Sequence, residues 1–357
     1  MARPERTLRG ITVGTGYFAP IQLEAWRSVR GAAIVGLVGE RDDARLRDVA
    51  REAGVQRWGT SLTELVSELR PDFIDVCVST AVHGLFVRAA NDLGLPVLCQ
   101  KPIAESWPES VELVEYCERG GSLLVVNENW RWQPWYREIA RIIESEELGT
   151  PHHAILSMRP GDGWGPEPYR EQPHFANMQR FLLLETGIHY FDTARLLFGE
   201  IERIFCITRR VNPVIAGEDL AIAVLECAGG ISVVYDADRA AFAEPVRSLT
   251  YGTVQIECSG GSIALASDGT INLRPRGAPA REHPYSVNPG WKGGAAIAAQ
   301  QHFVEVVNRK AAPETDGRSY LTSMAAVEAA YRSAAEGRAV KLEEILSPPR
   351  FDQKGHA

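Results

Sequence analysis

The chain has 357 residues, of which 45% are hydrophobic, and carries a formal net charge of −8. That length suffices for two domains with substantial cores. An acidic balance without any Lys/Arg-rich block argues against a nucleic-acid or other polyanionic partner. Six cysteines (Cys77, Cys99, Cys117, Cys206, Cys227, Cys258) show no metal-type spacing, so buried thiols in a reducing cytoplasm are expected, with no metal site. The start, Met1-Ala-Arg-Pro-Glu-Arg6, has no apolar signal core, and no run approaches the ~20 apolar residues of a membrane span.

The first motif is Ile11-Thr-Val-Gly14-Thr15-Gly16-Tyr17-Phe18-Ala19, an apolar strand running into Gly-x-Gly-x-x-Ala. A helix from Pro20 to about Arg30 is predicted after it. This order suits a dinucleotide. Gly14 permits the sharp turn, Gly16 lets the backbone approach a pyrophosphate, and Ala19 keeps helix and strand close. Tyr17 and Phe18 fall in the same turn. The next strand, Ala32–Val38, leads to Glu40, and an acidic residue about 20 residues past the glycines is expected to bind the ribose hydroxyls. Arg41 beside it could accept a 2′-phosphate, so NAD is expected as cofactor with NADP as the alternative.

The alternation continues. Helices are predicted at Ala44–Ala53 and after the Ser61/Glu64 capping box, then a strand at Phe73–Val78. A helix through Leu85, Val87 and Leu93 follows, then Pro96–Cys99, a helix opened by Ser106 and Glu109, and Leu123–Val126. Continuous apolar strands with crossover helices imply a doubly wound parallel sheet. Ligands bind beyond the carboxyl ends of such strands. That places Gln100-Lys101-Pro102, Ser79, Thr80 and His83 as candidates for lining a cofactor cleft. His83 reads equally as a helix-cap histidine, and Lys101 as a solvated lysine.

After Asn127 the pattern changes. Asn129-Trp-Arg131-Trp132 combines aromatic and hydrogen-bonding groups, a composition suited to a polyol and equally to interdomain packing. An amphipathic helix spans Pro134–Glu147. Strand-like runs follow at His152–Arg159, Ile201–Val211, Asp219–Cys227, Ile231–Ala237 and Thr253–Cys258, with Gly229-Gly230 as a hairpin turn. They predict an open, largely antiparallel sheet in an α+β domain. Late helices are expected at Ala295–Asn308 and Leu321–Ala335. The irregular stretch Pro160–Arg180 reads as a substrate-covering element or a structural loop.

Within a helix expected over Phe181–Phe198, Glu185, His189 and Asp192 form one polar stripe, with Gly187 between them. Three readings stay open: a solvated face, a metal site, or acid–base chemistry with His189 as base and Glu185 beside it. No Cys or further His is spaced to complete a metal shell. A glycine inside a helix costs about 1 kcal/mol relative to Ala, which makes sense if something approaches the backbone there.

Taken in order, the Gly14–Ala19 turn, Gln100-Lys-Pro102, Arg131 with Pro134, and Glu185-x-Gly-x-His189-x-x-Asp192 resemble the glucose–fructose oxidoreductase / inositol dehydrogenase / rhizopine-catabolism (Gfo/Idh/MocA) family. The resemblance covers nearly the whole chain. It implies an NAD(P)-binding Rossmann domain over residues 1–128 and an α+β domain over 129–357 that binds substrate and supports a homodimer or homotetramer through its sheet. It also implies oxidation of a sugar or cyclitol hydroxyl. By it, Lys101 contacts the reacting hydroxyl, His189 is the catalytic histidine, and Glu185 takes the place of the family's aspartate. Asn129, Arg131 and Arg159 join Lys101, Glu185 and His189 as expected substrate contacts. Three departures stand out: Gln100 for the usual Glu, Glu185 for Asp, and no Thr-Pro after the fourth strand. Cys99-Gln-Lys-Pro, Gly217-Glu-Asp219 and Gly-Ile-His189 look similar to a branch that includes D-apiose dehydrogenases. The rival functions are a non-catalytic nucleotide/sugar sensor and an NAD-dependent glycosidase or lyase using transient oxidation.

Overall fold

The structure, a computed structural model, describes residues 6–241 and 249–347. The polar start Met1–Glu5 lies outside them. Apolar runs without alternation become the largely buried strands β1 (Leu8–Val13), β2 (Ala32–Val38), β4 (Phe73–Val76), β5 (Val97–Gln100) and β6 (Leu124–Asn127), while a two-residue strand with exposed Trp58, β3 (Trp58–Gly59), forms one edge. Their order is β3-β2-β1-β4-β5-β6 and every pairing is parallel. The strand order therefore reverses between β1 and β4, the crevice where such sheets bind ligands. The crossover helices are α1 (Ala19–Trp26), α2 (Ala44–Ala53), α3 (Leu62–Leu69), α4 (His83–Asp92) and α5 (Trp107–Gly120). Ser61 and Ser106 accept from the amides of Glu64 and Glu109, as their spacing predicts. Helix α1 ends at Trp26, earlier than the expected Arg30.

The second half begins with α6 (Pro134–Glu144) and continues with β7 (Pro151–Met158), a π-helical turn (Leu182–Gly187), α7 (Ile188–Phe198), β8 (Ile201–Arg209), β9 (Leu220–Cys227), β10 (Ile231–Asp238) and β11 (Gly252–Cys258). Four short strands that the apolar pattern did not reveal complete the sheet: β12 (Gly261–Leu265), β13 (Ile271–Pro275), β14 (Arg281–His283) and β15 (Val340–Lys341). The order is β14-β13-β12-β11-β7-β10-β9-β8-β15, antiparallel except where β7 meets β10. One face is buried. The other leaves Ile155, Phe205, Ile207, Ile222 and Val224 between 36% and 41% exposed.

Helices α8 (Ala295–Val307) and α9 (Gly317–Glu336) return to the first sheet. Phe303 and Val304 of α8 pack with Trp26, Phe73, Leu98 and Val125. The Val126 amide donates to the Thr315 carbonyl at 2.7 Å. The late residues thus cover a face of the N-terminal sheet as well as belonging to the second half in sequence. All six cysteines are free and buried. Among the described residues, no helix is long and apolar enough to cross a membrane.

Candidate active site

The glycine turn closes tightly on one side and opens on the other. Gly14 has φ of +122°, and a Cβ there would lie 2.0 Å from the Cys77 carbonyl oxygen. Only glycine fits. A Cβ on Gly16 would meet nothing within 4 Å, so this side of the turn faces open space. Phe18 gives α1 no side-chain cap; in its first turn Pro20 has no N–H and the Ala19 amide donates to the Gly16 carbonyl at 3.3 Å, so the open side is the glycine turn that leads into the helix. This cradle fits a pyrophosphate. Around it, Phe18 meets Trp291 edge-on at 5.2 Å, and Tyr17 donates to Glu171 at 3.1 Å. Glu40 and Arg41 stand exposed beyond β2, 3.5 Å apart, while Ser79 and Thr80 enter a short turn after β4.

His83 is a correction. Instead of lining the cleft, its ring is buried, with Nδ1 2.9 Å from the Pro102 carbonyl and Nε2 3.1 Å from that of Val78. Burial pushes it down to about 4, so it clamps the two loops as a neutral ring that donates to only one of the carbonyls. Gln100 is likewise buried, and its amide donates to Gln22 at 3.3 Å. Asn127 donates to the same oxygen at 3.0 Å, and Gln22 donates onward to Asp75 at 2.9 Å. The uncharged Gln100 is therefore part of a network of neutral amides under the lysine loop.

Lys101 crosses to the second half. Its Nζ donates to the Glu185 carbonyl at 2.6 Å and to Glu185 Oε1 at 2.8 Å. The other Glu185 oxygen accepts from Thr186 and lies 3.7 Å from Arg239. Burial opposes ionisation of Glu185, but the two cations outweigh it and hold the carboxyl down to about 2. Arg239 went unnoticed in the sequence. It is 2% exposed, donates to Thr186 at 3.0 Å and to Asp162 at 3.1 Å, and lies near the rings of Tyr169, Phe175 and Phe181. Through Arg239 and the Tyr17–Glu171 bond, the irregular stretch after Pro160 touches both halves of the site.

The expected single helix is two pieces, the π turn and then α7. Gly187 sits at the change of pitch. A Cβ there would stand 3.3 Å from the Leu182 carbonyl oxygen and 3.5 Å from the Tyr235 hydroxyl, so protein atoms supply the close approach. On α7, His189 is 5% exposed and stacks on Trp130 with centroids 4.6 Å apart and planes 8° apart. Its carboxylate neighbour is Glu128, which accepts from Nδ1; Glu185, the expected partner, is taken by Lys101. Glu128 directly follows β6 and was missed, because its pairing with His189 bridges distant stretches of chain. Burial lowers the His189 pKa, opposed by Glu128 and reinforced by Lys101. The ring is thus neutral at pH 7. With Nδ1–H given to Glu128, its Nε2 lone pair takes no hydrogen bond from the described residues.

Three further expectations change. Arg131 does not face the cleft: its guanidinium donates to both Asp192 oxygens at 2.7 and 2.9 Å and reaches Glu314. Asp192, 0% exposed, is therefore structural and not part of an acid–base stripe. Arg159 pairs with Asp236 on the open face of the large sheet, away from His189. Asn129 is buried beside Trp130 with its Oδ1 unpaired.

The family models settle what this frame belongs to. One for an oxidoreductase family with an NAD-binding Rossmann fold matches residues 8–128, and one for the GFO/IDH/MocA C-terminal domain matches 136–264. The chain belongs to the Gfo/Idh/MocA oxidoreductase family. A D-apiose dehydrogenase of Paraburkholderia graminis is 32% identical, with 95% of this chain and 91% of that protein covered. A myo-inositol 2-dehydrogenase of Thermotoga maritima is 24% identical over 94% of this chain and 98% of its own length. An oxidoreductase from Agrobacterium radiobacter, solved with NAD+, L-tartaric acid and magnesium, superposes with a TM-score of 0.86 at 29% identity, covering 95% of this chain and 99% of that one. As a family member, this chain is an NAD(P)-dependent oxidoreductase.

Proposed function

We propose that this enzyme oxidises a hydroxyl of a sugar or cyclitol to a carbonyl, with the branched aldose D-apiose the first substrate to test. The observation that carries the reading is the Lys101–Glu185 contact, which brings an ammonium group from the end of β5 next to the helix bearing His189. The similarity to D-apiose dehydrogenases supports the substrate class.

A bound nicotinamide would supply the hydride acceptor for the carbon bearing the hydroxyl. The chain's part is binding, orientation and proton handling. The glycine turn and the start of α1 would hold the pyrophosphate, with Glu40 toward the adenosine ribose, favouring NAD over NADP. His189 accepts the hydroxyl proton on Nε2. An ammonium has three N–H donors and Glu185 takes two from Lys101, so the third is left to stabilise the developing alkoxide. Ionised Glu185, held by Arg239 and Thr186, keeps that ammonium in place.

The partly exposed aliphatic residues on the open sheet suit pairing of two copies face to face, and six buried thiols suit a reducing cytoplasm. A panel of pentoses, hexoses, branched aldoses and inositols, read by NADH absorbance, tests the reaction. Activity on a branched aldose supports it, and silence across the panel with NAD and with NADP overturns it.

A further inference from the structure

We infer that Glu128 is a positioning residue for the proton transfer: it fixes His189 with the proton on Nδ1, aims Nε2 at the cleft, and stabilises the charge the ring acquires. This rests on the proposed reading of His189 as the base. The two carboxylates then divide the labour, Glu128 serving the imidazole and Glu185 the ammonium.

Glu128 is 0% exposed, at the point where β6 runs into the short turn Trp130–Trp132. Its Oε1 accepts from His189 Nδ1 and from the Trp130 amide at 3.2 Å. Its Oε2 is buried with no hydrogen-bond partner. The nearby cation on its own side, Arg131, is committed to Asp192 and Glu314. The remaining facing group is the Tyr320 hydroxyl. The Glu128 charge is thus poorly compensated while His189 is neutral. It becomes compensated when the ring gains a proton. Trp130 contributes from the other direction. Its amide anchors Oε1 while its indole lies flat on the imidazole, so the ring cannot turn about its axis without losing the stack.

On the substrate side, the charges facing His189 are Lys101 and Glu185, which act on the ring with opposite sign. Neither reaches a ring nitrogen. The tautomer is therefore fixed by Glu128 alone among the charged neighbours.

Glu128→Gln separates charge from shape. The Trp130 N–H still requires an acceptor, so the amide oxygen takes the Oε1 place and the volume is kept, but the charge is gone. The maximal rate should fall on the order of 10²-fold. The acid limb of kcat/KM should move to lower pH, because the ring loses the group that favours its protonation. A lower plateau with a broader pH range is not what loosened packing produces. Glu128→Asp, which keeps the charge, should recover part of the rate and return the limb toward wild type.

A readout independent of turnover is the 15N spectrum of histidine-labelled protein, with His189→Gln used for assignment. It should show His189 protonated on Nδ1 and not on Nε2. An Nε2–H tautomer, or a Glu128→Gln variant with wild-type plateau and limb, overturns the proposal. If wild type oxidises no polyol but shows the Nδ1–H tautomer, the reading of the reaction fails and the role of Glu128 in setting the ring stands.

Discussion

Asp75 lies in the middle of the parallel sheet, 0% exposed, accepting from Thr12 at 3.0 Å, Gln22 at 2.9 Å and Trp26 at 2.8 Å. Glu185 lies at the mouth of the second half, its side chain still 19% exposed and set between Lys101 and Arg239. Burial dominates for Asp75, and three neutral donors do not offset it, so its carboxyl is pushed up to about 6. Formal cations reverse the sign for Glu185, which is held down to about 2. The same contrast runs through both halves. The first sheet solvates its buried polar groups with amides and hydroxyls, through Gln22, Gln100 and Asn127. The second pairs carboxylates with guanidinium groups, as in Arg131–Asp192 and Arg239–Asp162. The Glu185 charge sits in the second half, compensated there by Arg239 and by Lys101, which reaches across from the end of β5.

If compensation by cations is what permits buried carboxylates there, removing one cation should cost far more than removing one neutral donor. Arg131→Met leaves Asp192 with Ser323 at 2.9 Å and Arg195 at 3.6 Å, and should lower unfolding free energy by ~3–5 kcal/mol. Thr12→Val removes one donor to Asp75 and should cost ~1–3 kcal/mol. Urea unfolding of both variants measures the two losses, and equal values would break the contrast.

Lys101→Ala acts on the same compensation at the point of reaction. Turnover should drop on the order of 10²–10³-fold, with NAD binding retained. Glu185 keeps Arg239 and Thr186, so the fold should survive, as a thermal melt would verify. Near-normal turnover would remove Lys101 from the mechanism and leave its contact with Glu185 merely structural.

The parts of this picture that could be read from the sequence are local. Gly14–Ala19, the serines capping α3 and α5, and the apolar strands each follow from residues within a few positions of one another. The site was half legible for the same reason. Lys101, Glu185 and His189 stand out by motif, but the partner of His189 does not. Glu128 precedes a tryptophan-rich turn that reads as packing, and its burial against α7 is a tertiary fact. Arg131 shows the opposite error. An arginine among aromatics suggests a polyol contact, yet buried Asp192 claims it. Strands β12 to β15 are five residues or shorter, too short for alternation to stand out, and β14 and β15 form the two edges of the sheet.

The two carboxyls also predict opposite responses to acid. Between 3.8 and about 6 the folded chain holds a proton on Asp75 that the unfolded chain has released. This group's contribution to stability therefore rises as pH falls through that window. Glu185 contributes above its ordinary 4.5, and that contribution is lost as pH falls toward about 2. The difference in unfolding free energy between wild type and Asp75→Asn should grow as pH drops from about 6 to 4, by at most about 3 kcal/mol. A difference that is flat across this range would mean that the neutral donors suffice to keep Asp75 ionised.

Glu40 completes the series as a carboxylate that has not been withdrawn from water. Its side chain is 86% exposed and its contact with Arg41 is 3.5 Å long, so solvent screens it and neither burial nor pairing decides its behaviour. What it can do is act on a ligand brought close. A carboxylate beyond β2 accepts ribose hydroxyls and repels a 2′-phosphate, whereas Arg41 alone would attract one. Glu40→Ser should therefore shift the ratio of NAD to NADP affinity toward NADP by roughly tenfold, less than any substitution in the compensated interior. Titrating both cofactors against intrinsic tryptophan fluorescence measures the ratio. An unchanged ratio would show that cofactor choice is made elsewhere, and that exposure has left Glu40 without influence on the site.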